Sequence, residues 1–179
     1  VKDNQLIALI RAQIIAGLPA VGLTGLPVKQ AYQPTQQGVP AEPSIFMFKI
    51  GDKRYGYRGA TDVWDQVNDV EIHTETQFYE TTFQISALSV QRPQDTTQLT
   101  AADIVNGVAY IVQSESFMDA LKAQDVGLLR VMAVQNPYFA DDRGRYEASP
   151  SFDFTVTHKQ IVQTEVPVLE STEFRIRSV

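Results

Sequence analysis

The sequence has no cysteine and only two histidines, His73 and His158. Without cysteine there is no disulfide, no Cys-ligated zinc, no iron–sulfur cluster and no thiol nucleophile. The glycines also fall in the wrong places for phosphate chemistry. Gly17, Gly22 and Gly25 fit neither the dinucleotide fingerprint nor the phosphate loop, and no Gly-Lys-Ser/Thr follows them. A flexible loop is the plain reading of that stretch. No Gly-x-Ser-x-Gly occurs, so a serine-hydrolase elbow has no support. No apolar run approaches the roughly 20 residues of a membrane helix, and no secretory leader is recognised, so a soluble protein is the expectation.

Basic charge is short as well. Fifteen Lys and Arg stand against 21 Asp and Glu, a net charge of −6. The deficit is uneven along the chain. Residues 1–60 sum to about +4, residues 61–125 to about −9 and the remainder to about −1. A nucleic-acid binder would be basic overall or carry a Lys/Arg stripe interleaved with aromatics. The split is either an accident of linear order or a pair of complementary faces for self-assembly.

With 179 residues and 44 % hydrophobic content, one domain spanning 1–179 is expected. Leu6, Ile7, Ile10 and Ile14 predict a helix from an Asp3 N-cap to about Ala16, stopped by Gly17. Residues 17–43 hold five prolines and read as an irregular segment with one short strand around Val28–Tyr32. Ser44–Ile50 is a strand apolar on both faces. Such a strand is either central in a sheet or covered by another subunit. Gly51-Asp52 predicts a turn returning through Lys53–Arg58.

Glu71–Gln91 contains no Pro or Gly and is rich in Thr, aromatic and β-branched residues, so it reads as strand throughout. Straight, it would reach about 70 Å. A compact domain of this length is only about 40 Å across, so the strand must bend, bulge or project. Ser149–Val162 is a second long strand with Phe152, Phe154, Val156 and His158 on one face, and a last strand is expected within Val166–Ile176. Thr100-Ala-Ala-Asp103 starts a helix with a capping box. Ser116–Gln124 predicts another helix, and Leu128–Val134 a strand. The order predicts an α+β fold, a mainly antiparallel twisted sheet with long strands and flanking helices.

Three clusters carry residue types that can do chemistry. Glu71, His73 and Glu75 share one strand face and, with His158, could ligate a metal; a solvated sheet face is the plainer reading. Asp141, Asp142, Arg143 and Arg145 read as a salt-bridging surface loop, since the arginines would keep both carboxylates ionised and useless as an acid–base pair. Tyr32, Tyr55 and Tyr57, beside Lys53, Arg54 and Arg58, are ingredients for stacking single-stranded nucleic acid, or for a protein interface, which is the commoner use. No catalytic, cofactor or metal site converges, and no cofactor is expected.

Several stretches carry a family resemblance. Asp3-Asn-Gln-Leu-Ile-Ala-Leu-Ile10, Lys29-Gln-Ala-Tyr-Gln-Pro-Thr-Gln-Gln-Gly38 and Asp52-Lys-Arg-Tyr-Gly-Tyr-Arg58 resemble tailed-bacteriophage neck or tail terminator proteins. So do His73-Thr-Glu-Thr-Gln-Phe-Tyr-Glu-Thr-Thr-Phe83, Asn136-Pro-Tyr-Phe and Ser149-Pro-Ser-Phe-Asp-Phe-Thr-Val-Thr-His158. The resemblance implies a non-enzymatic virion protein of the tail or neck, assembled in the host cytoplasm. It implies a ring, typically hexameric, at the head-proximal end of the tail, which stops tube growth and joins the tail to the neck or connector. Its partners would be itself, the tail tube protein and neck proteins, with DNA passing through the lumen unbound and no membrane involved. Tyr32, Lys53, Arg54, Tyr55, Tyr57, Arg58, Asp141, Asp142, Arg143 and Arg145 are the candidate subunit or tube interface. Competing readings are another virion component, such as a tube or head-completion protein, and a small metal-dependent enzyme.

Overall fold

Three helices cover one face of a mixed sheet in the computed structural model, which describes residues 1–30, 42–90, 94–140 and 146–166. Helix α1 spans Asp3–Gly17 and runs into a 3-10 turn, Leu18–Val21; strand β1 is Val28–Gln30. The long strands β2, Ser44–Asp65, and β3, Val70–Leu88, follow. Helices α2, Ala101–Val112, and α3, Glu115–Lys122, precede β4, Gly127–Val131. A small pair, β5 (Tyr138–Ala140) with β6 (Tyr146–Ala148), leads to β7, Ser151–Val166. The main sheet has the order β1-β2-β3-β7-β4, antiparallel except where β1 runs parallel to β2. The fold is α+β.

The core lies between the helices and the inner half of that sheet. Leu6, Ile10 and Ile14 of α1 recur at helical spacing, and Ile104, Val105 and Val108 of α2 do the same. They pack over Ile45 and Met47 of β2, Phe83 and Ile85 of β3, and Phe152, Phe154 and Val156 of β7. Phe83 stacks on Phe154 with ring centroids 5.6 Å apart. On the opposite sheet face Phe46 is buried too, beneath the Lys29 ammonium, so β2 is a central strand apolar on both sides.

Several boundaries differ from expectation. Lys2, not Asp3, is the N-cap of α1; Asp3 is already helical, and the Gln5 side chain accepts the Lys2 N–H at 3.1 Å. Together α1 and the 3-10 turn form 19 residues long and apolar enough to cross a membrane by composition, where no such run was expected. Their buried side chains, Leu6, Ile10, Ile14 and Leu18, are instead part of the core. The predicted turn at Gly51-Asp52 does not form. Ile50 is accommodated as one extra residue in the ladder, and β2 continues against β3 to Asp65. The chain reverses after Asp65, whose carboxylate accepts from the Val67 N–H at 2.9 Å and from Asn68 Nδ2 at 2.7 Å. The last strand predicted within Val166–Ile176 lies, beyond Val166, outside the described residues.

The outer half of the sheet projects past the core. Outward from Asp52, Thr81 and His158 only β2, β3 and β7 continue the sheet among the described residues, and their side chains there are half-buried or exposed. Thus the overlong strand resolves by projection. Val70–Glu80 alone adds roughly 36 Å. A second irregularity, at Gly56-Tyr57-Arg58, sets three β2 residues opposite the single residue Gln77, and Gly56 takes φ +71° there.

Candidate functional site

Strand alternation divides the projecting arm into two faces. One continues the helix-covered face of the core. It carries Asp52, Arg54, Ala60, Asp62 and Trp64 of β2, odd-numbered β3 residues from Tyr79 to Glu71, and even-numbered β7 residues from His158 to Val166. The other face carries Lys53, Tyr55 and Val63, with Phe78, Glu80 and Ile161 beside them.

This arrangement separates the candidate interface residues. Lys53 approaches Glu80 at 3.9 Å on one face, and Tyr55 packs against Phe78 with centroids 5.7 Å apart. On the other face the Arg54 guanidinium lies 5.7 Å above the Tyr79 ring, and Arg58 Nη1 donates to both Glu75 carboxylate oxygens at 3.1 and 3.2 Å. Tyr57 touches neither group and is 98 % exposed in the irregular segment. Tyr32, Asp141, Asp142, Arg143 and Arg145 lie outside the described residues. The basic β2 segment is therefore answered in part by the acidic β3 of the same chain, which accounts for some of the linear charge asymmetry.

Glu71, His73 and Glu75 do share one face, and His73 Nε2 lies 3.9 Å from Glu75. His73 Nδ1 is bonded to Asp62, and that hydrogen bond holds the imidazole pKa above its ordinary value despite opposing desolvation. His158 stands elsewhere. It is opposite Tyr79, whereas His73 is opposite Thr164, an offset of six residues or roughly 20 Å. No group of three or more His, Asp or Glu among the described residues is placed to hold a metal ion.

Sequence reasoning missed a polar chain at the arm's foot. Lys49 Nζ bridges Asp3 of α1 at 2.7 Å and Asp52 at 2.5 Å. The Thr81 hydroxyl donates to Asp52 Oδ1 at 2.7 Å, and His158 Nε2 lies 2.9 Å from the same hydroxyl oxygen. Burial pushes the Asp52 carboxyl up, but hydrogen bonds from Lys49 and Thr81 outweigh it and hold the pKa below its ordinary value. Desolvation, helped by the N-terminal charge, pushes His158 down. Tyr79 stacks on His158 with the planes 9° apart. The chain borders an open cleft of about 810 Å³. Its members are far apart in sequence, and no local spacing announces them.

The arm also exposes apolar side chains that the sequence reading passed over. Val63 is 60 % exposed, Val67 91 % and Ile161 51 %, with Trp64, Val162 and Val166 also accessible. These exposed apolar groups gather on one projecting element, whose two long edges have no neighbouring strand among the described residues.

The family model described as E217 gateway protein gp29 matches residues 5–168. No curated protein matches. Among solved structures, the chain is similar to one titled as the sheath/tube terminator, in the extended state, of the PVC extracellular contractile injection system. Identity is 11 % and the TM-score 0.45; the match covers 97 % of this chain and 65 % of that one, so this chain spans less than two thirds of that length.

Proposed function

Because the chain belongs to the E217 gateway protein gp29 family of phage proteins, we propose that it is a structural virion component that forms a ring at the head-proximal end of a tail, terminates the tube and joins it to the neck or connector. The observation that carries this reading is the family match, which spans nearly the whole described chain. The projecting arm supports it physically. An isolated domain gains nothing from three strands bare on both faces, whereas a subunit completes their packing against its neighbours.

In this reading the protein is not an enzyme. Its partners are further copies of itself, closing a hexameric ring, together with the tail tube protein and neck or connector proteins. Lys53, Arg54, Tyr55, Tyr57 and Arg58 of the arm belong to the subunit or tube interface. The net charge of −6 favours a lumen that repels phosphate and lets DNA pass without sticking. Lys53 and Arg58 are already paired inside the chain, so ring closure rests on sheet and apolar contacts more than on charge.

Negative-stain imaging of purified protein mixed with its tail tubes tests the proposal. Tubes capped at one end and arrested in length are expected. Tubes that keep growing beside free monomers overturn it.

A further inference from the structure

The two long borders of the arm are open. Among the described residues β1 pairs with β2 only at Ile45–Met47, and β4 pairs with β7 only at Phe154–Thr157. Beyond these, the outer edge of β2 and the outer edge of β7 have no neighbouring strand among the described residues. Proteins blunt such edges with bulges, Pro or charge, because free N–H and C=O groups template further pairing. The end of β7 has little of that protection: Gln160-Ile-Val-Gln-Thr-Glu-Val166 contains no Pro, no Gly and one charge.

We infer that these two edges pair with each other between copies: Gly59–Trp64 of β2 in one subunit aligns in parallel with Ile161–Val166 of β7 in the next. The inference rests on the ring reading above and names its contact.

Four observations fit a second copy as the occupant. Both segments run antiparallel to β3, so they run parallel to each other. Both lie opposite the same β3 residues, Thr76 to Glu71, so they stand at the same level on opposite edges of the arm. A head-to-tail contact between them is heterologous and closes by rotation. Both are straight, since the β2 irregularity ends at Gly59 and β7 has none against β3.

The side chains that meet are compatible as well. Level with one another on one face are Ala60 and Val162, Asp62 and Thr164, and Trp64 and Val166. On the other face Val63 falls beside Glu165 and Gly59 beside Ile161. No like charges oppose each other. The exposed Trp64, Val162 and Val166 gain apolar cover from the partner copy.

A cysteine-free chain makes the test direct. In the double variant Ala60→Cys with Val162→Cys, the two positions flank Glu75 on either side. Within one chain they lie two strand spacings apart, about 9.6 Å, beyond the roughly 7 Å a disulfide can bridge. Only bonds between copies can form. Mild oxidation should give a ladder of covalent oligomers on a non-reducing gel, while each single variant stops at dimer. The pair Asp62→Cys with Thr164→Cys repeats the test where the first variant fails to fold by circular dichroism. Native mass spectrometry separates the two levels of the argument. Oligomers that give no ladder with either pair overturn the edge pairing and leave the ring reading standing. Monomers at every concentration overturn both.

Discussion

His158 Nε2 lies 2.9 Å from Thr81 Oγ1, and that hydroxyl has already committed its proton to Asp52 Oδ1. The histidine must therefore be the donor, which places the imidazole proton on Nε2 and leaves Nδ1 bare. Nδ1 is buried and has no hydrogen-bond partner. Nitrogen chemical shifts at neutral pH should report the Nε2–H tautomer. Replacing Thr81 with Val removes the acceptor for His158 and a donor to Asp52 together, inside a site where Thr81 is fully buried. A loss of about 1–3 kcal/mol in chemical denaturation is expected, and Thr81→Ser should recover most of it.

The two histidines pull stability in opposite directions with pH. His73 is held above its ordinary value of 6.5, chiefly by its hydrogen bond to Asp62. Its folded form binds the proton more tightly, so its contribution is complete below 6.5 and fades as pH rises through the folded value. His158 is pushed below 6.5, chiefly by desolvation. A proton on Nδ1 would have no acceptor, so His158 costs stability as pH falls from 6.5 through its folded value. NMR titration should give two imidazole midpoints on either side of 6.5. Asp62→Asn should lower the upper one and leave the lower one in place.

The helix starts show what local sequence can announce. The sequence predicts a capping box of Thr100 with Asp103, and Asp103 N–H donates to Thr100 Oγ1 at 3.1 Å while the Asp103 carboxylate accepts the Thr100 N–H at 2.9 Å. The Thr100 hydroxyl, which donates to Asp103 Oδ2 at 2.7 Å, and after it the Thr100 N–H hold the Asp103 carboxyl below its ordinary range. Thr100→Ala should cost about 1 kcal/mol, read as a lower thermal midpoint.

Legibility elsewhere followed the range of the interaction. The alternation Phe152, Phe154, Val156, His158 was visible because every second residue of a half-buried strand meets the core. The hairpin was misplaced because Gly51-Asp52 looks like a turn, whereas the actual reversal after Asp65 uses Asx hydrogen bonds and a positive φ at Asp69, with no Gly or Pro to mark it. The polar chain from Asp3 to His158 was hidden for a different reason. Its residues meet only because α1, β2, β3 and β7 converge at the arm's foot. The metal reading failed on register, since two histidines on adjacent strands are neighbours only when the pairing aligns them.

Two glycines separate the rigidity of the core from that of the arm. A Cβ on Gly17 would fall 2.5 Å from Ile111 Cγ2 and 3.0 Å from Cγ1, and Ile111 is a buried β-branched residue of α2 with little room to turn. Gly17 thus serves the close approach of α1 to α2 and does not stop the helix as expected: it is itself helical, the 3-10 turn follows directly, and the left-handed cap is Gly22. Gly56 has nothing within 4 Å of its would-be Cβ, but its φ of +71° strains any other residue. Gly17→Ala should therefore lower global stability by about 1–3 kcal/mol through overpacking. Gly56→Ala should cost about 1–2 kcal/mol of backbone strain, confined to the arm. Hydrogen exchange discriminates the two: Gly17→Ala should speed exchange at Ile10 and Val108 in the core, and Gly56→Ala only around Tyr55–Gly59 and the facing Gln77. Faster core exchange in Gly56→Ala would mean that the arm and the core unfold as one unit, contrary to the bare faces seen beyond Asp52.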